Sequence, residues 1–145
     1  MSEPNYKVIW VRADERAIVP QKGRPGDAGF DLYSLPKDVK IQPLETVIID
    51  TGIKYKITAG WHLITKERGS TGKLGLKVSA GVNDNNFRGT IKVMIFNANK
   101  DITVHIGDFP ESDQVYGEIR YNYKKAIAQL VPIYSPDGES IEGTE

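Results

Sequence analysis

Arg68-Gly69-Ser70-Thr71-Gly72-Lys73 packs a guanidinium, two hydroxyls and an ammonium around two glycines. Arginine offers a planar fork for phosphate oxygens, and glycines let successive backbone N–H groups converge on an anion. The stretch is not a Walker-type loop. Such a loop has glycine five residues before its Gly-Lys pair and Ser or Thr after the lysine. Those positions here are Glu67 and Leu74. Two readings remain for the stretch alone: a smaller phosphate cradle, or an exposed hairpin turn. A second piece follows closely, Gly81-Val82-Asn83-Asp84-Asn85-Asn86-Phe87-Arg88-Gly89. Glycines bound it, and it carries a carboxylate suited to general-base work and an aromatic ring suited to stacking. Alone, Asp84 reads as an ordinary turn aspartate.

Composition narrows the chemistry. The chain has 145 residues, enough for one domain with a modest core. Nineteen basic residues balance nineteen acidic ones, so nucleic acid is not an expected partner. The absence of cysteine excludes disulfides, a thiol nucleophile and thiolate-ligated metal. With only His62 and His105, a histidine-built zinc site is not expected. No apolar run reaches membrane-spanning length, so a cytoplasmic protein without a membrane partner is expected.

The elements that must position these residues are strands. Ile53-Lys54-Tyr55-Lys56-Ile57 alternates apolar and charged residues, and residues 91–96 and 102–106 repeat the pattern. Residues 47–49 and 127–131 are short apolar runs rich in strand formers. Turn signals lie at 25–27, 59–60, 83–86, 107–108 and 136–138. No helical stripe lasts three turns. An all-β sandwich or barrel of jelly-roll type is predicted. Residues 109–123 are polar and tyrosine-rich, without a clean period, and read as a long loop or an extra hairpin. Residues 135–145 carry four acidic residues and no basic one, which predicts a flexible tail. Trp61 reads as core or interface, Lys73 as a solvated charge, and both histidines as surface or strand residues.

Four further pieces complete an ordered set: Ala28-Gly29-Phe30-Asp31-Leu32, the Ser79 to Gly89 stretch, the strand from Ile91 through Asn97, and Ala126-Ile127-Ala128-Gln129-Leu130-Val131. With Arg68-Gly69-Ser70 they resemble the motifs of the trimeric dUTP pyrophosphatase (dUTPase) family, in family order, over roughly residues 25–131. The resemblance implies a distorted jelly-roll subunit, a homotrimer with shared active sites, and Mg²⁺-dependent hydrolysis of dUTP to dUMP and pyrophosphate. It implies Asp84 as the activator of the attacking water. Arg68, Gly69, Ser70 and Gln129 would contact phosphates. Asp31 would serve Mg²⁺ through water. Ala80, Gly81, Phe87 and Lys92 would bind the nucleoside. Backbone N–H and C=O offered together match uracil N3–H and O4 and mismatch cytosine. The related deaminases carry a glutamate on the returning strand, where this chain has Met94, which disfavours deamination.

The sequence also departs from the family pattern. Gly69 stands where serine usually follows the motif arginine. Asn83 replaces an apolar residue and needs a hydrogen-bond partner. Residues 109–123 read as an insertion in a domain spanning 1–134. The family's C-terminal glycine-rich arm is absent from residues 135–145. These departures keep an alternative open: a nucleotide-binding or regulatory protein of the same fold with little turnover.

Overall fold

The structure is a computed structural model and describes residues 5–110 and 113–144. Thirteen strands and one helical turn form among them. In chain order they are β1 (Val8–Arg12), β2 (Phe30–Leu32), β3 (Val39–Ile41), β4 (Thr46–Asp50), β5 (Ile53–Ile57) and β6 (Trp61–Lys66). Next come α1 (Gly69–Gly72), β7 (Leu76–Ser79), β8 (Val82–Asn83), β9 (Lys92–Asn97) and β10 (Thr103–Gly107). The last are β11 (Asp113–Val115), β12 (Glu118–Asn122) and β13 (Ala128–Tyr134). The expected all-β architecture is present. All five expected strands are there, each within a few residues of the predicted ends.

The strands join into small sheets in the orders β1-β5, β11-β12-β10-β3, β2-β13-β6-β8 and β4-β9-β7. Alternate residues point inward, so each short strand gives two or three side chains to one core. Ile53, Tyr55 and Ile57 do this on β5, and Trp61, Leu63 and Thr65 on β6. Leu32, Ile41, Val93, Ile95, Val104, Ile106 and Leu130 are almost wholly removed from water. Each contributes about 1.5–3 kcal/mol relative to an exposed position.

Two features differ from the sequence expectation, and a third decides between two readings. β8 does not pair back on the returning strand. Leu63 faces Asn83 and Ile64 faces Val82 across β6 and β8, while β9 pairs with β7 and β4. Residues 80–91 therefore bridge two sheets instead of closing a simple hairpin. Residues 69–72, read as a turn, form a single helical turn because the Thr71 hydroxyl accepts the Arg68 N–H at 3.1 Å. Of the two readings for 109–123, the extra hairpin is the one formed. β11 and β12 pair antiparallel, and β12 lies parallel to β10, Tyr121 opposite Ile106.

One buried amide on β9 ties β3 to the segment that leads into β10. The Asn97 side chain donates to the carbonyls of Ile41 at 3.0 Å and Ile102 at 2.8 Å, and its oxygen accepts the Asn99 N–H. Asn97 is fully buried, so its loss strands those carbonyls away from water. Asn97→Leu is expected to lower stability by about 3 kcal/mol. A fall in the urea midpoint at constant slope would show it.

Candidate functional site

The sequence-predicted residues fall into two groups along β6. The first surrounds Arg68, just past the C-terminal end of that strand. Arg68 Nε lies 3.3 Å from an Asp31 oxygen on β2, and its Nη1 donates to the Ala126 carbonyl at 3.0 Å. Both contacts come from the β2–β13 side, where Asp31 faces Gln129. The guanidinium is thereby fixed at the floor of an open depression of 460 Å³ lined by Asp31, Tyr33, Ser70, Tyr121, Lys124 and Lys125.

The glycine geometry there differs from expectation. Gly69 and Gly72 are helical, and the left-handed residue is Gly75, φ 84°. The N–H groups of Gly72 and Lys73 are taken by helical bonds to Arg68 and Gly69. Thr71 is buried and braces the Arg68 backbone, so it offers no free hydroxyl. Gly69 and Ser70 remain exposed. A Cβ on Gly69 would meet nothing within 4 Å, so this glycine leaves the mouth open and fills no packing need. Glu67 has its own task. Its carboxylate accepts the Val78 N–H at 2.7 Å, tying the loop to β7. Burial pushes the Glu67 carboxyl up, but backbone hydrogen bonds with the charges of Lys66 and Lys77 outweigh it and hold it below the usual range.

Gln129 packs on Gly29 and donates through Nε2 to the Glu67 carbonyl at 2.8 Å. A Cβ on Gly29 would lie 2.4 Å from the Gln129 oxygen, which accounts for glycine before Phe30 and Asp31.

The second group runs along β8 against β6, from Gly81 beside Thr65 to Asp84 at the N-terminal end of that strand. Ala80 and Gly81 both take left-handed backbone, φ 58° and 103°. Gly81 runs so close to β6 that a Cβ would sit 2.7 Å from the Thr65 carbonyl oxygen. Asn83, which needed a partner, donates to the buried Thr65 hydroxyl at 2.8 Å. The chain then turns, with the Phe87 N–H on the Asp84 carbonyl at 3.0 Å. The exposed Asp84 carboxylate shares a depression with Gly60, His62, Asn85, Asn86 and Asp137. The Phe87 ring covers Gly89 and lies 6.4 Å from the Tyr55 ring. Lys92 opens β9 beside it, opposite Asp50.

Three residues not singled out by the motifs hold this turn. The Tyr55 hydroxyl donates to the Asp84 carbonyl. The Asn85 amide donates to the carbonyls of Thr58 and Trp61 at 2.9 Å each. His62 Nδ1 accepts the Asn85 N–H at 3.0 Å while Nε2 lies 2.9 Å from the Ser135 carbonyl. A peptide N–H on Nδ1 and a carbonyl on Nε2 dictate the neutral tautomer protonated at Nε2. Only the 59–60 and 83–86 turn signals pointed to this neighbourhood.

Asp84 and Arg68 do not meet within one chain. Leu63, the partner of Asn83, is five residues from Arg68, about 16 Å of extended strand. Their depressions share no lining residue. Among the described residues there is no cluster of three His, Cys, Asp or Glu able to hold a metal.

A family model described as dUTPase matches residues 15–109. The chain belongs to the dUTPase family. It is 33% identical to the mouse (Mus musculus) deoxyuridine 5'-triphosphate nucleotidohydrolase, across 97% of this chain and 78% of that protein. The Mycobacterium avium enzyme of the same name is 36% identical across 68% of this chain and 66% of its own length. For the human mitochondrial form the values are 33%, 94% and 48%, so this chain spans about half of that relative. Among solved structures, the dUTPase of phage phi11 of S. aureus shares the fold with a TM-score of 0.77 at 20% identity, covering 96% of this chain and 97% of that one. The Staphylococcus bacteriophage 80alpha dUTPase, solved with dUPNHPP, gives 0.73 at 23%, with 96% and 90% covered. The dUTPase fold thus accounts for the β framework that carries both depressions.

Two outcomes test the Asp84 turn. Gly81→Ala forces a Cβ against the β6 backbone at a left-handed position. It should cost about 2–3 kcal/mol in denaturant unfolding. Tyr55 gives a pH signature. Burial first, and the Asp84 charge second, push its phenol from 10.0 to about 12. Its contribution is whole below pH 10.0 and falls as pH rises toward about 12, because the unfolded chain ionises first. Tyr55→Phe should flatten the loss of thermal stability across that window.

Proposed function

We propose that this chain hydrolyses dUTP to dUMP and pyrophosphate at sites completed between copies of itself. The observation that carries the reading is the placement of Asp84 and Arg68 at opposite ends of one strand. A carboxylate and a phosphate cradle so separated serve one substrate only if a neighbouring copy brings its cradle to this turn. A closed homotrimer satisfies that requirement, each interface repeating the same pairing.

In that assembly the Asp84 carboxylate accepts a proton from the water attacking the α-phosphorus. Arg68, the exposed Gly69 N–H and the Ser70 hydroxyl contact phosphate oxygens. Gln129 keeps one N–H on Glu67 and has a second for phosphate. The backbone at Ala80 and Gly81, and the strand returning through Lys92, read the uracil edge. Phe87 covers the deoxyribose face, leaving no room for a 2′-hydroxyl. Mg²⁺, when bound, neutralises charge along the phosphates. Asp31 suits it through water, since Mg²⁺ keeps several waters and needs one or two carboxylates beside substrate oxygens. Residues 1–134 act as one β unit, with 109–123 inserted in it and 135–145 as a tail. A cytoplasmic setting goes with a nucleotide-pool substrate.

Asp84→Asn should lower pyrophosphate release from dUTP by on the order of 10²–10⁴. Affinity for a non-hydrolysable dUTP analogue should stay within about threefold of wild type, a change of less than 1 kcal/mol. Unchanged turnover would remove Asp84 from the reaction. Tight analogue binding by the wild-type chain without turnover would make it a binding module of the same fold.

A further inference from the structure

Resting on that reading and extending it, we propose that the β11–β12 hairpin and the turn after it form a terminal-phosphate subsite. Lys125, with Lys124 beside it, contacts the β- and γ-phosphates. Tyr121 is the positioning residue that joins this subsite to the Arg68 cradle.

Tyr121 comes from the segment without a motif, yet it reaches the centre of the site. It is 4% exposed, and its hydroxyl donates to the Ala126 carbonyl at 2.7 Å. That carbonyl is also the acceptor for Arg68 Nη1. Ser70 and Arg68 line the same depression as Tyr121. One phenol therefore shares an acceptor with Arg68 and stands beside Ser70 in the wall of the phosphate cradle.

The lysines follow at a fixed turn. The Lys125 N–H donates to the Asn122 carbonyl at 3.0 Å, and the Lys124 N–H to the Asn122 side-chain oxygen at 2.9 Å. Both line the Arg68 depression. Lys125, Ser70 and Tyr121 also line an adjoining depression that continues to Arg120 and Leu74. The groove thus runs past the cradle along the hairpin, cationic at Lys124 and Lys125, while Glu118 and Asp113 offset Arg120.

Charge decides what fits. Asp31 already offsets Arg68, so the excess positive charge comes from the two lysines. Neither lysine forms an ion pair among the described residues. A monophosphate occupying the cradle leaves them unused. Phosphates beyond it reach them.

The hairpin is held to make this geometry persist. His105 on β10 contacts Glu118 on β12 at 3.1 Å, and Arg120 lies over the Phe109 ring at 5.7 Å.

The test compares two ligands on the full chain, a non-hydrolysable dUTP analogue and dUMP. Lys125→Met should weaken the analogue at least about fivefold, the scale of one lost charged contact, and leave dUMP unchanged. Lys125→Arg should restore most of that loss. Tyr121→Phe should raise KM for dUTP and weaken the analogue more than dUMP, with an unchanged circular-dichroism spectrum. Equal weakening of both ligands, or of neither, would overturn the subsite while the wild-type enzyme still turns over dUTP. A wild-type chain that neither binds nor hydrolyses dUTP would instead overturn the functional reading and this inference with it.

Discussion

An extended strand cannot shorten, and that constraint shapes everything around β6. Its inner face supplies Trp61, Leu63 and Thr65 to the core, so its length and register are set by packing. Its two ends therefore lie at a distance that no side-chain rearrangement closes. The Asp84 turn is pinned at one end through His62 and Leu63, and the Arg68 depression leaves the other through Glu67 and Arg68. Within one copy, packing therefore holds the Arg68 depression and the Asp84 turn apart.

The second principle is close approach. Gly29 yields its side-chain volume to Gln129, and Gly81 yields its own to the Thr65 carbonyl. Both let polar groups from non-adjacent segments lie against each other, where a methyl group would hold them apart. The polar interior around them is satisfied in kind. Asn83 reaches Thr65, Asn85 caps three carbonyls, and Asn97 bridges β3 to the Ile102 carbonyl just before β10. Such amides specify register, because each fits only one set of partners.

Much of this could be read from the residues alone, and the unread parts have physical causes. β5 was plain because its lysines alternate with apolar residues. β1 was hidden because Ile9 and Val11 stay apolar on the exposed face, which erases the alternation. β6 was hidden by Thr65, a polar residue in the core whose hydroxyl is paired. The Asp84 turn was legible through its glycines and its motif order, but its second sheet was not. Nothing local in Val82-Asn83 says that the partner is β6 rather than β9. Gly69 and Ser70 lie exposed beside Arg68. Thr71 was misread because a hydroxyl looks the same in sequence whether it faces solvent or braces a backbone. Glu118-Ile119-Arg120-Tyr121-Asn122 does alternate, yet five residues inside a polar stretch gave too little signal to separate a strand from a loop.

The parallel pairing of β12 with β10 has a last consequence. The Tyr123 N–H donates to the Gly107 carbonyl at 3.1 Å, so the chain leaves the barrel and re-enters it at almost the same point. Everything between is a detour with its ends already joined. The entropy of closing such a loop grows only with the logarithm of its length. The turn at Tyr116 and Gly117 can be resized or exchanged, while Ile119 and Tyr121 keep β12 anchored in the interior. The tip of this edge is thus free to diversify while the barrel beneath it stays fixed.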